Sequence, residues 1–346
     1  MNIAGRTIGP EHEPFVICEL SGNHNGELAR ALKLVEAAAA TGCDAIKIQT
    51  YTPDTITIQS DRPEFQLHGG LWDGRSLYDL YGEAYTPYEW HEALFAAAKG
   101  LGVPLFSTPF DETAVELLER LGAPAYKIAS FEIVDLPLID IDARCGKPMI
   151  ISTGMASEDE IAAAVDTAKA GGASGVVLLH CVSAYPAEIA QANVRTVPLL
   201  AQRFGVMAGL SDHTPGTAAS VAAVAMGAVA IEKHFTLARA DGGPDADFSL
   251  EPVEFAALVQ DCHDAWRALG AASFNRGGVE RANAQFRRSL YVVEDIPAGA
   301  PFTKANVRSI RPGLGLAPKH LPQVLGKTAA RELKRGEPLA WAMVRA

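Results

Sequence analysis

Short apolar runs alternate with longer segments of helical spacing along most of the chain. The runs "FVICEL", "DAIKIQT", "PLFST", "AYKIAS", "PMIIST", "GVVLLHC", "VMAGLS" and "AVAIEKHF" read as buried strands. Between most of them lie Ala-, Leu- and Glu-rich stretches such as "LARALKLVEAAAAT", "DETAVELLERLG" and "DEIAAAVDTAKAGG". Strand followed by helix implies parallel pairing through right-handed crossovers. Eight such units predict an α/β fold, a closed (β/α)8 TIM barrel of roughly 235 residues. A doubly wound open sheet is the competing arrangement, but the glycine-rich dinucleotide fingerprint does not follow the first strand.

Two departures from this rhythm define the domain plan. The connection after "IKIQT" runs through "YTPDTITIQSDRPEFQLHGGLWDGRSLYDLYGEAYTPYEWHEAL" before a helix begins near Pro87. A connection this long is either a binding lid or a surface insertion with a small core of its own. Near Gly270 the rhythm stops. "EDIPAGAPFTKANV" and "KRGEPLAWAMV" then read as two versions of one turn-then-strand unit, each with a glycine at the bend. The plan expected is a barrel over residues 1–270, a linker over 271–288 and a small β-rich domain over 289–346. Such a small domain has a marginal core, so it is expected to lean on the barrel or on another subunit.

Composition narrows the function. The 346 residues are 48% hydrophobic, enough for one large core, and a net charge of −11 argues against nucleic acid or an anionic membrane as partner. A locally basic pocket for a small anion is still compatible with that charge. The odd count of five cysteines lacks paired metal spacing and suits reduced thiols, so a cytoplasmic protein is expected. Neither a signal segment at the start nor a membrane-spanning apolar run is read from the sequence.

The chemistry concentrates at the C-terminal ends of the expected strands, where barrel active sites lie. Strand one ends in Glu19, Ser21, Asn23 and His24, and strand two carries Lys47 and Gln49. Ser107, Thr108, Lys127, Ser130, Glu132, Ser152, Thr153, His180 and Ser183 follow on strands three to six. Ser211, Asp212 and His213 end strand seven, and Glu232, Lys233 and His234 end strand eight. Two lysines among hydroxyls and glycine-flanked amides suit a phosphate or carboxylate. "STG" and "GLSDHTPG" have the look of backbone anion nests. His213 and His234 could share a divalent ion, with imidazole favouring manganese, iron or zinc. A Schiff base on Lys127 or Lys47 is a rival chemistry. Asp245, in "ADGGPDADFS", belongs either to a carboxylate loop folded over the site or to a solvent turn.

Together, "CELSGNHNG", "AIKIQT", "STPFD", "YKIASFE", "ISTGM", "HCVSAYP", "GLSDHTPG", "IEKHFT" and "RPGLGLAP" resemble the sialic acid synthase family over nearly the whole chain. These enzymes condense phosphoenolpyruvate with an acetamido sugar. The resemblance implies an enzyme of EC 2.5.1 type with a C-terminal antifreeze-like (SAF) domain, working as a homodimer in which that domain reaches over the partner's barrel. Phosphoenolpyruvate would be held by Lys47, Lys127, Ser130, Ser152 and Ser211. His213 and His234 would hold manganese or magnesium. Glu19, Glu132 and Asp245 match acidic positions around the sugar and the attacking water, and Arg311 matches an arginine contributed by the partner subunit.

Ser183 and Tyr185 fall in "HCVSAYP", where sialic-type members carry "HCTNxYP", so Ser183 replaces an asparagine on the sugar side. The long insertion and "DGGPDADFSLEP" resemble the pseudaminic acid branch, which implies a 2,4-diacetamido-2,4,6-trideoxy-altrose acceptor. N-acetylneuraminate-type or legionaminate-type acceptors are the alternatives. In a different class altogether, a non-catalytic sugar-binding protein would have no need of both lysines and both histidines.

Overall fold

The computed structural model describes residues 1–69, 71–274 and 277–345. The chain forms two compact units, Met1–Gly270 and Ala271–Ala346. The first is the barrel expected from the rhythm. A small N-terminal hairpin, β1 (Asn2–Ile3) and β2 (Arg6–Thr7), precedes eight parallel strands. These are β3 (Phe15–Glu19), β4 (Ala45–Thr50), β5 (Leu105–Pro109), β6 (Tyr126–Ile128), β7 (Pro148–Ser152), β8 (Gly175–Cys181), β9 (Met207–Asp212) and β10 (Ala230–His234). They pair in chain order, and β10 closes the ring against β3 with Glu232 opposite Ile17.

Residues alternate across each strand, and the alternation builds two distinct layers. One set (Phe15, Ile17, Ala45, Phe106, Ile150, Val177, Leu179, Ala230) forms an apolar plug together with Ile3 and Ile8 of the hairpin. The other (Val16, Cys18, Ile46, Ile48, Met149, Ile151, Leu178, Ile231) packs against Leu34, Val35, Ala164 and Leu258 of the helices. Polar residues of the inward parity, further along the strands, are therefore left above the plug, where they line a cavity.

The helices begin and end where the local chemistry dictates. Asp111 caps α5 (Glu112–Leu121) by accepting from the amides of Thr113 and Ala114, and Gly122 ends it in the left-handed region at φ 73°. Ser157 and Glu160 form a capping box at the start of α7 (Glu158–Gly171). The long connection after β4 is partly ordered into secondary structure. It holds a short turn at Pro53–Ile56, the helix α3 (Leu77–Ala84), and a tight hairpin closed by a Gln66–Ser76 bridge. Gly22 makes room for α3, because a Cβ there would lie 2.9 Å from the backbone of Ala84.

In the second unit, β11 (Ser289–Val292) pairs antiparallel with β12 (Val307–Ile310), and β13 (Thr328–Ala329) with β14 (Val344–Arg345). The internal repeat is real: Ile296, Gly299 and Val307 recur as Leu333, Gly336 and Val344, and Ile296 bridges Leu333. Both glycines have positive φ, 78° and 95°, as the bends require. Leu290, Val292, Phe302, Val307, Val324 and Leu339 give this unit a core of its own. The stretch expected as a linker, 271–288, carries a short helix, Gly278–Asn283, and a 3-10 turn, Ala284–Phe286. Two of its residues, 275 and 276, lie outside the described set. Among the described residues no helix is long and apolar enough to cross a membrane.

Candidate active site

The polar ends of the inward-facing positions meet in one cavity of about 320 Å³ at the C-terminal ends of the strands. Its floor is made of charge. Lys47 is buried with its Nζ 2.5 Å from Glu19 Oε2, 3.7 Å from Glu232 Oε1 and 3.3 Å from Thr108 Oγ1. Burial alone would discharge this lysine, but Glu19 and Glu232 outweigh it and hold its pKa above the ordinary value. Gln49 steadies Glu19 by donating to its Oε1 at 3.0 Å, and Ser211 donates to Glu232 at 3.2 Å. Glu19 is raised by its own burial, with Lys47 opposing.

Lys127 is placed differently. Its Nζ donates to Ser152 Oγ at 2.7 Å and to the Ile128 carbonyl at 2.9 Å, both neutral acceptors. Burial pulls its pKa below the ordinary value, and the nearby Glu232 only partly restores it. A buried ammonium with no carboxylate of its own is the natural seat for an incoming anion. Ser130 completes this side by accepting from the Gly154 amide at 3.1 Å. Only glycine fits there, since a Cβ would come within 2.3 Å of Ser183 Oγ and 2.7 Å of Ser130 Oγ.

The two rim histidines face each other with ring centroids 5.2 Å apart. The Nδ1 of His213 lies 3.1 Å from the Val182 carbonyl, which selects the tautomer with a proton on Nδ1 and a lone pair on Nε2. His213 is pulled down by burial but pushed up more by the adjacent Cys181. His234 is kept neutral chiefly by burial, and its Nδ1 is sealed from solvent without a hydrogen-bond partner. The unpartnered, neutral ring of His234 and the free Nε2 of His213 together fit a divalent ion. Among the described residues no third His, Cys, Asp or Glu completes a cluster, so further ligands would come from substrate or water.

Asp245 settles one alternative left open by the sequence: its loop is folded over the site and is not a solvent turn. Its carboxylate accepts from Ser21 Oγ and lies 4.0 Å from His234 Nδ1, and burial raises its pKa. Glu132, just beyond β6, has a buried Oε2 without a partner, and burial lifts its pKa to about 7 against the pull of Lys127. Tyr185 lines the cavity with its ring 4.6 Å from that of His213. Ser183 sits behind this lining, its Oγ beside Cys181 and against Gly154. Arg311 belongs to the second unit, where it is exposed.

Several polar strand ends in the sequence do not enter the cavity. Asp212 and Lys233 pair with each other at 2.9 Å, Ser107 bonds Thr50, His180 bonds the Ala192 carbonyl, and His24 packs edge-on against Trp90. On the strands these positions have the outward parity. Conversely, Glu232, Gln49 and Cys181 line the cavity, although sequence reasoning assigned them no role. Of the two readings of the long connection, a binding lid or a surface insertion, the cavity lining favours the first. The insertion after β4 supplies an apolar outer wall from Ile56, Leu67, Trp72, Leu77, Leu80 and Tyr81.

Fold and site define a (β/α)8-barrel protein with a charged, anion-ready floor, an open two-histidine rim and an apolar outer wall. The sequence profile of the NeuB family matches residues 34–274, and that of the SAF domain matches residues 287–345. The chain is 45% identical to the pseudaminic acid synthase of Campylobacter jejuni over 94% of its own length and 95% of that protein. It is 36% identical to the N,N'-diacetyllegionaminic acid synthase of Legionella pneumophila, with 96% and 95% covered. The crystal structure of the N-acetylneuraminic acid synthetase from Leptospira borgpetersenii superposes with a TM-score of 0.73 at 30% identity, covering 82% of this chain and 94% of that one. The chain therefore belongs to the NeuB, or sialic acid synthase, family of nonulosonic acid synthases.

Proposed function

We propose that the chain condenses phosphoenolpyruvate with 2,4-diacetamido-2,4,6-trideoxy-altrose and water to give pseudaminic acid and phosphate. The observation that carries this reading is the division of the cavity into a charged floor and an apolar outer wall. Lys127, whose Nζ meets only the neutral Ser152 Oγ and Ile128 carbonyl, suits an incoming anion, while the wall suits a sugar with a deoxygenated terminal carbon and two acetamido methyls. The relatives named pseudaminic acid synthase from Campylobacter jejuni and Helicobacter pylori support it, at 45% and 42% identity.

In this reading Lys127 and Lys47, with Ser130, Ser152 and Ser211, hold the carboxylate and phosphate of phosphoenolpyruvate. Carbon 3 of that enol attacks the aldehyde carbon of the open-chain sugar, leaving positive charge on carbon 2. Water adds to carbon 2, and the tetrahedral adduct breaks its carbon–oxygen bond to release phosphate. Glu132, titrating near neutrality, is suited to give and take protons at these oxygens. Glu19 and Asp245, both buried beside the cavity, are the other candidates for directing the water. His213 and His234 would hold manganese or magnesium, which when bound acts as a Lewis acid on the sugar carbonyl. Tyr185 completes the acceptor side, with Ser183 behind the lining beside Cys181.

The remaining parts of the proposal rest on the family. The catalytic barrel is taken to span 1–270 and the SAF domain 289–346, with 271–288 linking them. The working form is a homodimer in which Arg311 of one chain serves the acceptor in the partner's barrel. All five thiols are free, which supports placing the enzyme in the cytoplasm. Phosphoenolpyruvate labelled with 18O in its bridging oxygen tests the bond that breaks. The label should leave with phosphate, and label retained in the sugar acid would refute the mechanism.

A further inference from the structure

One side chain joins the apolar wall to the rest of the site. Trp72 stands in the hairpin closed by the Gln66–Ser76 bridge, which is tightened by Leu67 donating to the Arg75 carbonyl at 2.8 Å and Gly74 to the Leu67 carbonyl at 3.0 Å. Its indole Nε1 donates to the Pro244 carbonyl at 3.0 Å, and Pro244 immediately precedes Asp245. Its ring centroid is 5.6 Å from that of Tyr185, whose ring in turn is 4.6 Å from that of His213. Trp72 thus ties the insertion to two other elements, the loop after β10 and the loop after β8.

An indole has only one donor. In Trp72 that donor is committed to Pro244, so the part of the side chain left to line the cavity is apolar. Beside it stand Leu77, Leu80 and Tyr81 from α3. Among the described residues, no charged side chain of the insertion lines this stretch. An acceptor carbon that carries a hydroxyl would lose its water against such a surface without gaining a partner, whereas a methyl would gain contact.

We infer that Trp72 is the specificity-determining residue of the acceptor subsite. Its ring receives the deoxygenated edge of the sugar, and its N–H fixes the loop that carries Asp245. This deepens the proposed function, because it rests on the acceptor occupying the outer zone. Discrimination at an apolar surface of this kind is worth about 10²-fold between a methyl and a hydroxylated carbon.

The test compares wild type with Trp72→Ala and Trp72→Phe. Each is assayed for kcat/KM with the diacetamido-trideoxy altrose and with N-acetylmannosamine, together with the KM for phosphoenolpyruvate and the melting temperature. Trp72→Ala is expected to reduce the ratio between the two acceptors by at least tenfold while the phosphoenolpyruvate KM stays within a few-fold. Trp72→Phe keeps a ring but loses the donor, so it should retain most of the ratio and lower kcat with both sugars. Equal losses with both acceptors in Trp72→Ala, or an unchanged ratio, would overturn the inference. A wild-type preference for N-acetylmannosamine would sink the proposed acceptor, and Trp72 would still stand or fall on whether the ratio shifts. Turnover of neither sugar by wild type overturns both.

Discussion

Lys233 Nζ lies 2.9 Å from Asp212 Oδ2, both side chains sealed from solvent, and each residue immediately precedes one of the two rim histidines in the chain. The pair spans neighbouring strands in register and faces away from the cavity. Lys233 also donates to the Thr214 carbonyl at 2.5 Å, and Asp212 accepts from Ser220 at 2.7 Å and from the Thr214 amide at 2.8 Å. The network therefore fixes the turn that bears His213 against the strand that ends in His234.

Breaking this pair should loosen the histidines as well as the fold. Asp212→Asn leaves a buried lysine without its carboxylate, a change expected to cost about 3–5 kcal/mol. The double variant Asp212→Asn/Lys233→Met is expected to recover much of that stability. It should still bind Mn2+ more weakly than wild type, as read by electron paramagnetic resonance of free Mn2+. Wild-type Mn2+ affinity in the double variant would show that the pair is only structural.

Glu132 predicts a pH dependence of stability. Its folded pKa, about 7, lies above the ordinary carboxylate value, so the folded chain holds a proton that the unfolded chain releases. Stability contributed by this group is complete at low pH and is lost as pH rises toward and past 7. The loss is about 3–4 kcal/mol. Glu132→Gln should flatten the fall in melting temperature between about pH 5 and pH 8. Parallel curves for the two proteins would remove Glu132 as its source.

Lys127 separates two chemistries, because its lowered pKa is also what an imine-forming lysine needs. Phosphoenolpyruvate is already an activated enol, so the expected role is that of a charged anion holder. Borohydride added during turnover should leave no adduct on the chain by mass spectrometry. Lys127→Met should lower kcat/KM for phosphoenolpyruvate by about 10²-fold, the worth of a hydrogen bond to a charged group. A reduced adduct at Lys127 would establish the imine instead.

The proposed dimer makes a complementation prediction. Arg311→Ala and Lys47→Met chains, each inactive alone, should regain about a quarter of wild-type activity when unfolded together and reassembled. Half of the dimers would then be mixed, each with one intact site. No recovery would confine Arg311 to its own chain's site or to none.

The barrel was legible because its strands are short apolar runs bounded by polar ends, a pattern that a parallel sheet buried on both faces imposes. The site was legible only by half. Lys47, Lys127, Ser152, Ser211 and His234 share the inward parity of Phe15 and Ile17, whereas Asp212, Lys233 and Ser107 have the opposite one. Strand boundaries known to a single residue would have sorted the two sets and brought in Glu232, which was seen at the rim without a role. The long insertion could be read as a binding lid, but its contact with the Asp245 loop could not, since Trp72 and Pro244 are 172 residues apart and nothing local marks their contact.

The most direct measurement is product formation from phosphoenolpyruvate with Mn2+ across three competing acceptors, identified by mass spectrometry. The acceptors are the 2,4-diacetamido-2,4,6-trideoxy altrose, its legionaminic-type isomer and N-acetylmannosamine. Predominant formation of pseudaminic acid, with phosphate released in equal amount, is the predicted result. A product built mainly on either of the other two sugars would contradict it.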